Sequence, residues 1–268
     1  MQEDNVIRTK EDADRIFYGK RYFAFLDILG FRELVRNNNH SVLVELYKRI
    51  VNYQVEFYSK YSAEKAELEK KRLREYYEPT GLRLVNISDS IMLWTDNSKL
   101  SSLYEIVSAV KMIMSISMSA GIPLRGAIVK GDVEIFENEQ SLSIVGRGLV
   151  DAYEMESIQQ WSGCVIDESI FIWLNSINRV VANKKTNISL EKADWLVKKY
   201  SVPFKKGKEE FTRDLFAVNW AEGSNQTEED IRNSFSMHNK RAKENETVTE
   251  SIERKIENTL EFWRQNKS

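Results

Sequence analysis

Residues 22–29 read YFAFLDIL, an apolar and aromatic run with one acid inside it, and Gly30 follows directly. A short run of this kind, stopped by glycine, specifies a buried strand. The acid is the constraint on everything built around it. An ionised carboxylate removed from water without compensation is costly, so Asp27 must be paired, protonated or bound to a cation. Pairing with Arg21 or Arg32, or capping of the helix that follows, would also satisfy it.

A second acid sits at an equally constrained point. Residues 82–94, LRLVNISDSIMLW, read as two short strands around a turn at Ser88, Asp89 and Ser90. Acids in turns are ordinary, but this one follows a strand that ended in an acid and a tight glycine turn. If the two strands are neighbours, Asp27 and Asp89 converge at one edge of the sheet. Two carboxylates held together repel unless cations lie between them. Mg²⁺ binds through one or two carboxylates plus substrate phosphates, and a pair of metals can clamp both oxygens of a phosphoryl transfer. The turn at Leu29, Gly30 and Phe31 would aim backbone amides at a phosphate from the start of the next helix.

Composition narrows the ligand chemistry. The chain has 268 residues, enough for one large domain or one domain with additions. It has one cysteine, Cys164, and two histidines, His40 and His238. No intramolecular disulfide can form, a zinc cluster is out of reach, and a metal site must use oxygen ligands, as Mg²⁺ or Mn²⁺ would. The net charge of −2 gives no general pull toward DNA, RNA or an anionic membrane, so an anionic ligand needs a local site. The first twenty residues lack the apolar stretch of a signal peptide, and the serines within Ile106–Ile122 interrupt the longest apolar run. A cytoplasmic protein without membrane insertion is expected.

Along the chain, residues 31–71 carry helical spacing, 63–78 form a charged, solvated helix, and 100–120 form a helix stopped by Gly121 and Pro123. LRGAIVKGDVEIF is strand, turn and strand. SLSIV is a further strand leading through Gly146 and Gly148 into a helix, and CVID is another strand. This order predicts an α+β fold, a mixed sheet with helices on one face. After residue 170 the pattern weakens into C-terminal helical additions. They include one helix with Trp173, another with Trp195 and Val197, a possible strand at DLFAVNW, and an amphipathic helix carrying Ile252, Ile256, Leu260 and Trp263. The expected division is 20–170 as the catalytic domain and 171–268 as a mostly helical extension packed on it.

Four blocks, DILGF at 27–31, ISDSIMLW at 87–94, PLRGAIVKGDV at 123–133 and VGRGLVDAYEME at 145–156, occur in the order and rough spacing of the class III nucleotide cyclases. Over about residues 20–170 the chain resembles that family, and within it the compact bacterial pyrimidine cyclases of the Pycsar antiphage systems. The resemblance implies a ferredoxin-like palm that works as a head-to-tail homodimer on a nucleoside triphosphate. It places two Mg²⁺ or Mn²⁺ ions on Asp27, Asp89 and the carbonyl of Ile28, and the triphosphate on the backbone of Leu29, Gly30 and Phe31. Purine-specific members read the base with a lysine four residues before the second acid. Val85 stands there, which favours UTP or CTP. The family also uses an asparagine and an arginine on the helix after the glycine block, where this chain has Val150 and Glu154. Arg125, Lys130 and Arg147 are the candidate replacements. The alternative is a module that kept the fold and binds nucleotide in a regulatory role without turnover.

Overall fold

The computed structural model describes residues 19–45, 47–48, 81–181, 193–236 and 250–267. The charged stretch expected to be a helix at 63–78, and His238, lie outside them. Strand β1 (Arg21–Ile28) forms as the apolar run predicts, and it is paired on both edges. It runs antiparallel to β3 (Ser90–Trp94) on one side and to β4 (Leu124–Gly131) on the other. Strand β2 (Arg83–Ile87) closes the predicted hairpin with β3. Helix α1 (Phe31–Asn37) leaves β1, and α2 (Leu100–Ser119) links β3 to β4. The spatial order β2-β3-β1-β4 around two helical crossovers is the ferredoxin-like arrangement.

The sheet does not stop there. Strand β7 (Cys164–Ile166) joins β4 in parallel, which makes the sheet mixed, and β9 (Glu209–Val218) and β8 (Val197–Lys206) extend it to seven strands. Val197 therefore opens a strand, where the sequence suggested a helix. The reason is a period of two: Tyr200, Val202 and Phe204 are buried while the residues between them are more exposed. β8 is an edge strand, where Pro203 is tolerated because no sheet neighbour needs its missing amide. The possible strand at DLFAVNW is real and belongs to β9. The sheet thus runs on past residue 170.

Alternation along β1 feeds two cores. Tyr22, Ala24, Leu26 and Ile28 point into the larger one, which α2 fills with Leu103, Ile106, Val107, Val110 and Ile113. Helices α4 (Glu168–Val181), α5 (Glu228–Ser236) and α6 (Glu250–Asn266) contribute Ile170, Ile231 and Leu260 to the same core. Phe23 and Phe25 point the other way, into a smaller core with Trp94, Val129 and Val133. Helix α3 (Arg147–Ser157) closes that second face through Ala152, and the separate hairpin of β5 (Glu134–Asn138) and β6 (Ser141–Val145) adds Ile135 and Ile144. The expected helical layer is present, and α3 is an addition on the opposite face. By length and composition α2 is apolar enough to cross a membrane despite the serines that interrupt it, but more than half of it is buried in this protein.

The amphipathic C-terminal helix packs on its own body. Phe262 of α6 meets Trp161 edge-on at 4.9 Å and Tyr200 at 5.0 Å, and it lies against Trp220 at 6.0 Å. Trp161 is fully buried and donates its ring N–H to Gln159 Oε1 at 2.8 Å. Phe262→Ala would open a cavity among these rings. It is expected to lower the unfolding free energy by about 3–5 kcal/mol, read from urea titration.

Candidate metal and nucleotide site

Asp27 is the second-last residue of β1 and shares the face of Phe23 and Phe25. Its ladder neighbours are Ser90 of β3 and Arg125 of β4. Asp89 occupies the turn just before β3, reached through Ser88, whose φ of 57° is left-handed. The Ile28 amide donates to the Asp89 carbonyl at 3.0 Å, so one backbone bond locks the ends of the two acid-bearing segments together. The convergence expected of Asp27 and Asp89 is met at the backbone. Arg21 reaches Asp96 at 3.7 Å and leaves Asp27 to other partners.

Those partners come from the sheet and from two helices. Glu156 of α3 is almost fully buried, with a side chain 2% exposed, and accepts from Arg125 Nε at 2.5 Å. Arg125 also donates through Nη1 to the Gln159 carbonyl at 2.9 Å. Burial chiefly, then the negative charges of Glu156 and Asp89, raise the Asp27 carboxyl to about 7, against the opposing pull of Arg125 and Lys255. Burial also raises Glu156, while Arg125 and Lys255 hold it down. Three carboxylates therefore face two cations.

The donor set fits a divalent ion of the Mg²⁺ or Mn²⁺ kind. Asp27 is crowded by like charge in a half-buried position, which a cation would relieve. Among the described residues no three acids, histidines or cysteines are grouped to enclose a metal. An ion here would rest on Asp27 and Asp89 and take its remaining oxygens from backbone, water or substrate, which is how Mg²⁺ is usually held.

The glycine turn is built as expected, with Gly30 in the left-handed region at φ 74° as the residue before α1. The Ile28 amide is committed to Asp89, and the Leu29 amide donates to the Pro123 carbonyl at 3.0 Å, with the Leu29 side chain buried. Among the described residues no acceptor takes the amides of Gly30 and Phe31, so the cradle narrows to these two. Val85 is half-buried on β2 and packs against the smaller core on the same face as Asp27.

The two candidate arginines differ. Arg125 lies at the site but is tied to Glu156 and Gln159. Arg147 begins α3 with its side chain 83% exposed and pairs with Asp151 at 3.6 Å. Val150 and Glu154 are exposed on the same helix. The glycine block that precedes them serves packing. The α3 backbone at Gly148 passes so close to Gly131 at the end of β4 that a Cβ on Gly131 would lie 2.8 Å from the Gly148 Cα. Glu156 and Lys255 are the site residues that sequence reasoning missed. The available signal was a charge on a buried stripe: Leu149, Ala152 and Glu156 are spaced three and four along α3, as are Ile252, Lys255 and Thr259 along α6.

No family model matches the chain, and no curated protein sequence matches it. Solved structures with a similar arrangement include the adenylyl cyclase CyaB from P. aeruginosa, at 16% identity and a TM-score of 0.46 over 74% of this chain and 93% of that one. The guanylyl cyclase Cya2 aligns at 11% identity and 0.44 over 75% and 91%. The guanylyl cyclase domain of the RhoGC fusion protein from Blastocladiella emersonii aligns at 15% identity and 0.43 over 75% and 97%. At such identities and TM-scores the likeness decides neither family nor activity.

The charge crowding has a measurable consequence. Asp27 rises from the ordinary 3.8 to about 7, so without metal the folded chain holds a proton there more tightly than the unfolded chain does. That contribution to stability is complete below about pH 4 and is lost as the pH rises through about 7. Asp27→Asn is expected to melt above the unsubstituted protein at about pH 8 in metal-free buffer, with the gap closing toward about pH 4. Parallel melting curves across that range would contradict the assignment.

Proposed function

We propose that the chain is a metal-dependent nucleotidyl cyclase that converts a nucleoside triphosphate, UTP or CTP in preference to ATP or GTP, to a 3′,5′-cyclic nucleotide and pyrophosphate. The observation that carries this reading is the placement of Asp27 and Asp89, locked by the Ile28 to Asp89 backbone bond in a half-buried, acid-rich corner. Two bound Mg²⁺ or Mn²⁺ ions would supply the charge that activates the ribose 3′-hydroxyl and steadies the triphosphate. Asp27, Asp89 and the Ile28 carbonyl would hold them. The amides of Gly30 and Phe31 would orient the phosphates, with Leu29 fixing the turn. The 3′-oxygen then bonds to the α-phosphorus, its proton leaves to solvent, and the bond from the α-phosphorus to the bridging oxygen breaks to release pyrophosphate.

Val85 supports the pyrimidine preference. Its aliphatic side chain cannot donate to a purine at the position where the resemblance puts a lysine. A homodimer is supported by the apolar side chains left exposed on the face of α3 and its hairpin: Phe136 at 61%, Val145 at 56%, Val150 at 51% and Tyr153 at 55%. Two positions on α3 support a second reading. Val150 and Glu154 can offer no cation to a partner subunit, which suits a cyclase-fold module that binds nucleotide in a regulatory role without turning it over. A role as second-messenger source in cytoplasmic antiphage defence rests on the sequence resemblance.

Incubation with each of the four nucleoside triphosphates and Mn²⁺, followed by mass analysis, is expected to yield cyclic UMP or cyclic CMP. Asp27→Ala and Asp89→Ala are each expected to lower the rate by about a hundredfold or more with the fold intact. No cyclic product from any triphosphate would remove the cyclase reading, and intact bound nucleotide in the same sample would favour the regulatory one. Val150→Lys is expected to shift the sedimentation of the protein from dimer to monomer. An unchanged sedimentation coefficient would take this face out of the interface.

A further inference from the structure

The C-terminal helix α6 brings to the site a cation, Lys255, whose ammonium is held by no hydrogen bond or ion pair among the described residues, though it feels the charges of Asp27 and Glu156. Two bonds fix the position of α6 on the 159–162 segment, which Arg125 also holds. The Ser162 amide donates to Thr259 Oγ1 at 2.8 Å, Asn258 Nδ2 donates to the Gln160 carbonyl at 2.7 Å, and the neighbouring Gln159 carbonyl accepts Arg125 Nη1 at 2.9 Å. Lys255 lies one turn before Thr259 on the same stripe, within electrostatic reach of Arg125, Glu156 and Asp27. The charges of all three act on its ammonium, together with that of Lys205.

Arg125 is spent on Glu156 and Gln159. Lys255 is not spent. It is half-buried, and among the described residues no carboxylate or carbonyl forms an ion pair or hydrogen bond with its ammonium. A half-buried ammonium without a partner is unfavourable unless a ligand supplies the anion. The bound metal ions of the proposed reaction would neutralise Asp27 and Asp89, and the net negative group left in the corner would be the polyphosphate.

We propose that Lys255 is a phosphate-binding residue of this site, a cation delivered in cis by the C-terminal helix to the triphosphate of the substrate. This inference rests on the nucleotide reading above. It gives the segment after residue 170 a direct part in ligand binding, and it supplies from within the chain a positive charge that Val150 and Glu154 cannot offer from a partner.

The test uses the full chain, with inorganic tripolyphosphate and Mn²⁺ as the probe and isothermal titration as the readout. Lys255→Met keeps the aliphatic stem and removes the charge, and Lys255→Arg restores the charge. Lys255→Met is expected to weaken tripolyphosphate binding by about tenfold or more, the usual effect of deleting a charged hydrogen-bond donor. Lys255→Arg should recover most of the affinity, which separates loss of the charge from loss of packing. Equal tripolyphosphate affinity in Lys255→Met and the unsubstituted protein overturns the role of Lys255 and leaves the metal site standing. Failure of the unsubstituted protein to bind Mn²⁺ and tripolyphosphate at all overturns both.

Discussion

The structure turns on one electrostatic problem, a carboxylate near the end of a central strand that has little water to solvate it. β1 is paired on both edges and covered on both faces, so Asp27 cannot escape by local rearrangement. The fold answers with charge and does not let the site neutralise itself completely. Arg125 stands opposite Asp27 in the ladder but is drawn to the more deeply buried Glu156. The residual negative charge supports the proposal that a divalent cation binds there.

The surrounding architecture follows from holding that corner rigid. A ferredoxin-like sheet puts the end of β1 next to the β2–β3 turn, and the Ile28 to Asp89 bond fixes their register. Removing Arg125 while Glu156 stays buried would leave a bare charge, a change that commonly costs about 3–5 kcal/mol. The Arg125–Glu156 pair therefore fixes the charge that stands beside Asp27. α3 reaches it by passing close over Gly131, and α6 reaches it by binding the 159–162 segment.

Much of this was legible in the sequence, and what escaped did so for identifiable reasons. The strand at 22–29, the hairpin around Asp89 and the long helix after residue 100 follow from apolar periodicity and glycine or proline stops, and all are present. β8 was hidden because Lys199, Ser201 and Lys205 alternate with its buried residues and its centre holds Pro203, a residue that strand interiors seldom carry. A partner 31 residues away in sequence, as Glu156 is from Arg125, leaves no local pattern. Lys255 was hidden by its neighbours. On an amphipathic helix one charge beside Ile252, Ile256 and Leu260 looks like solvent-facing decoration until the packing of the helix is known.

The central claim is that Asp27 and Asp89 together hold divalent metal. Crystals of the full chain grown with Mn²⁺ and a non-hydrolysable UTP analogue would test it through anomalous scattering at the manganese edge. The account predicts anomalous peaks between the two carboxylates, with the analogue's phosphates on their far side toward Gly30. A bound analogue with no anomalous peak within coordination distance of either aspartate would contradict it.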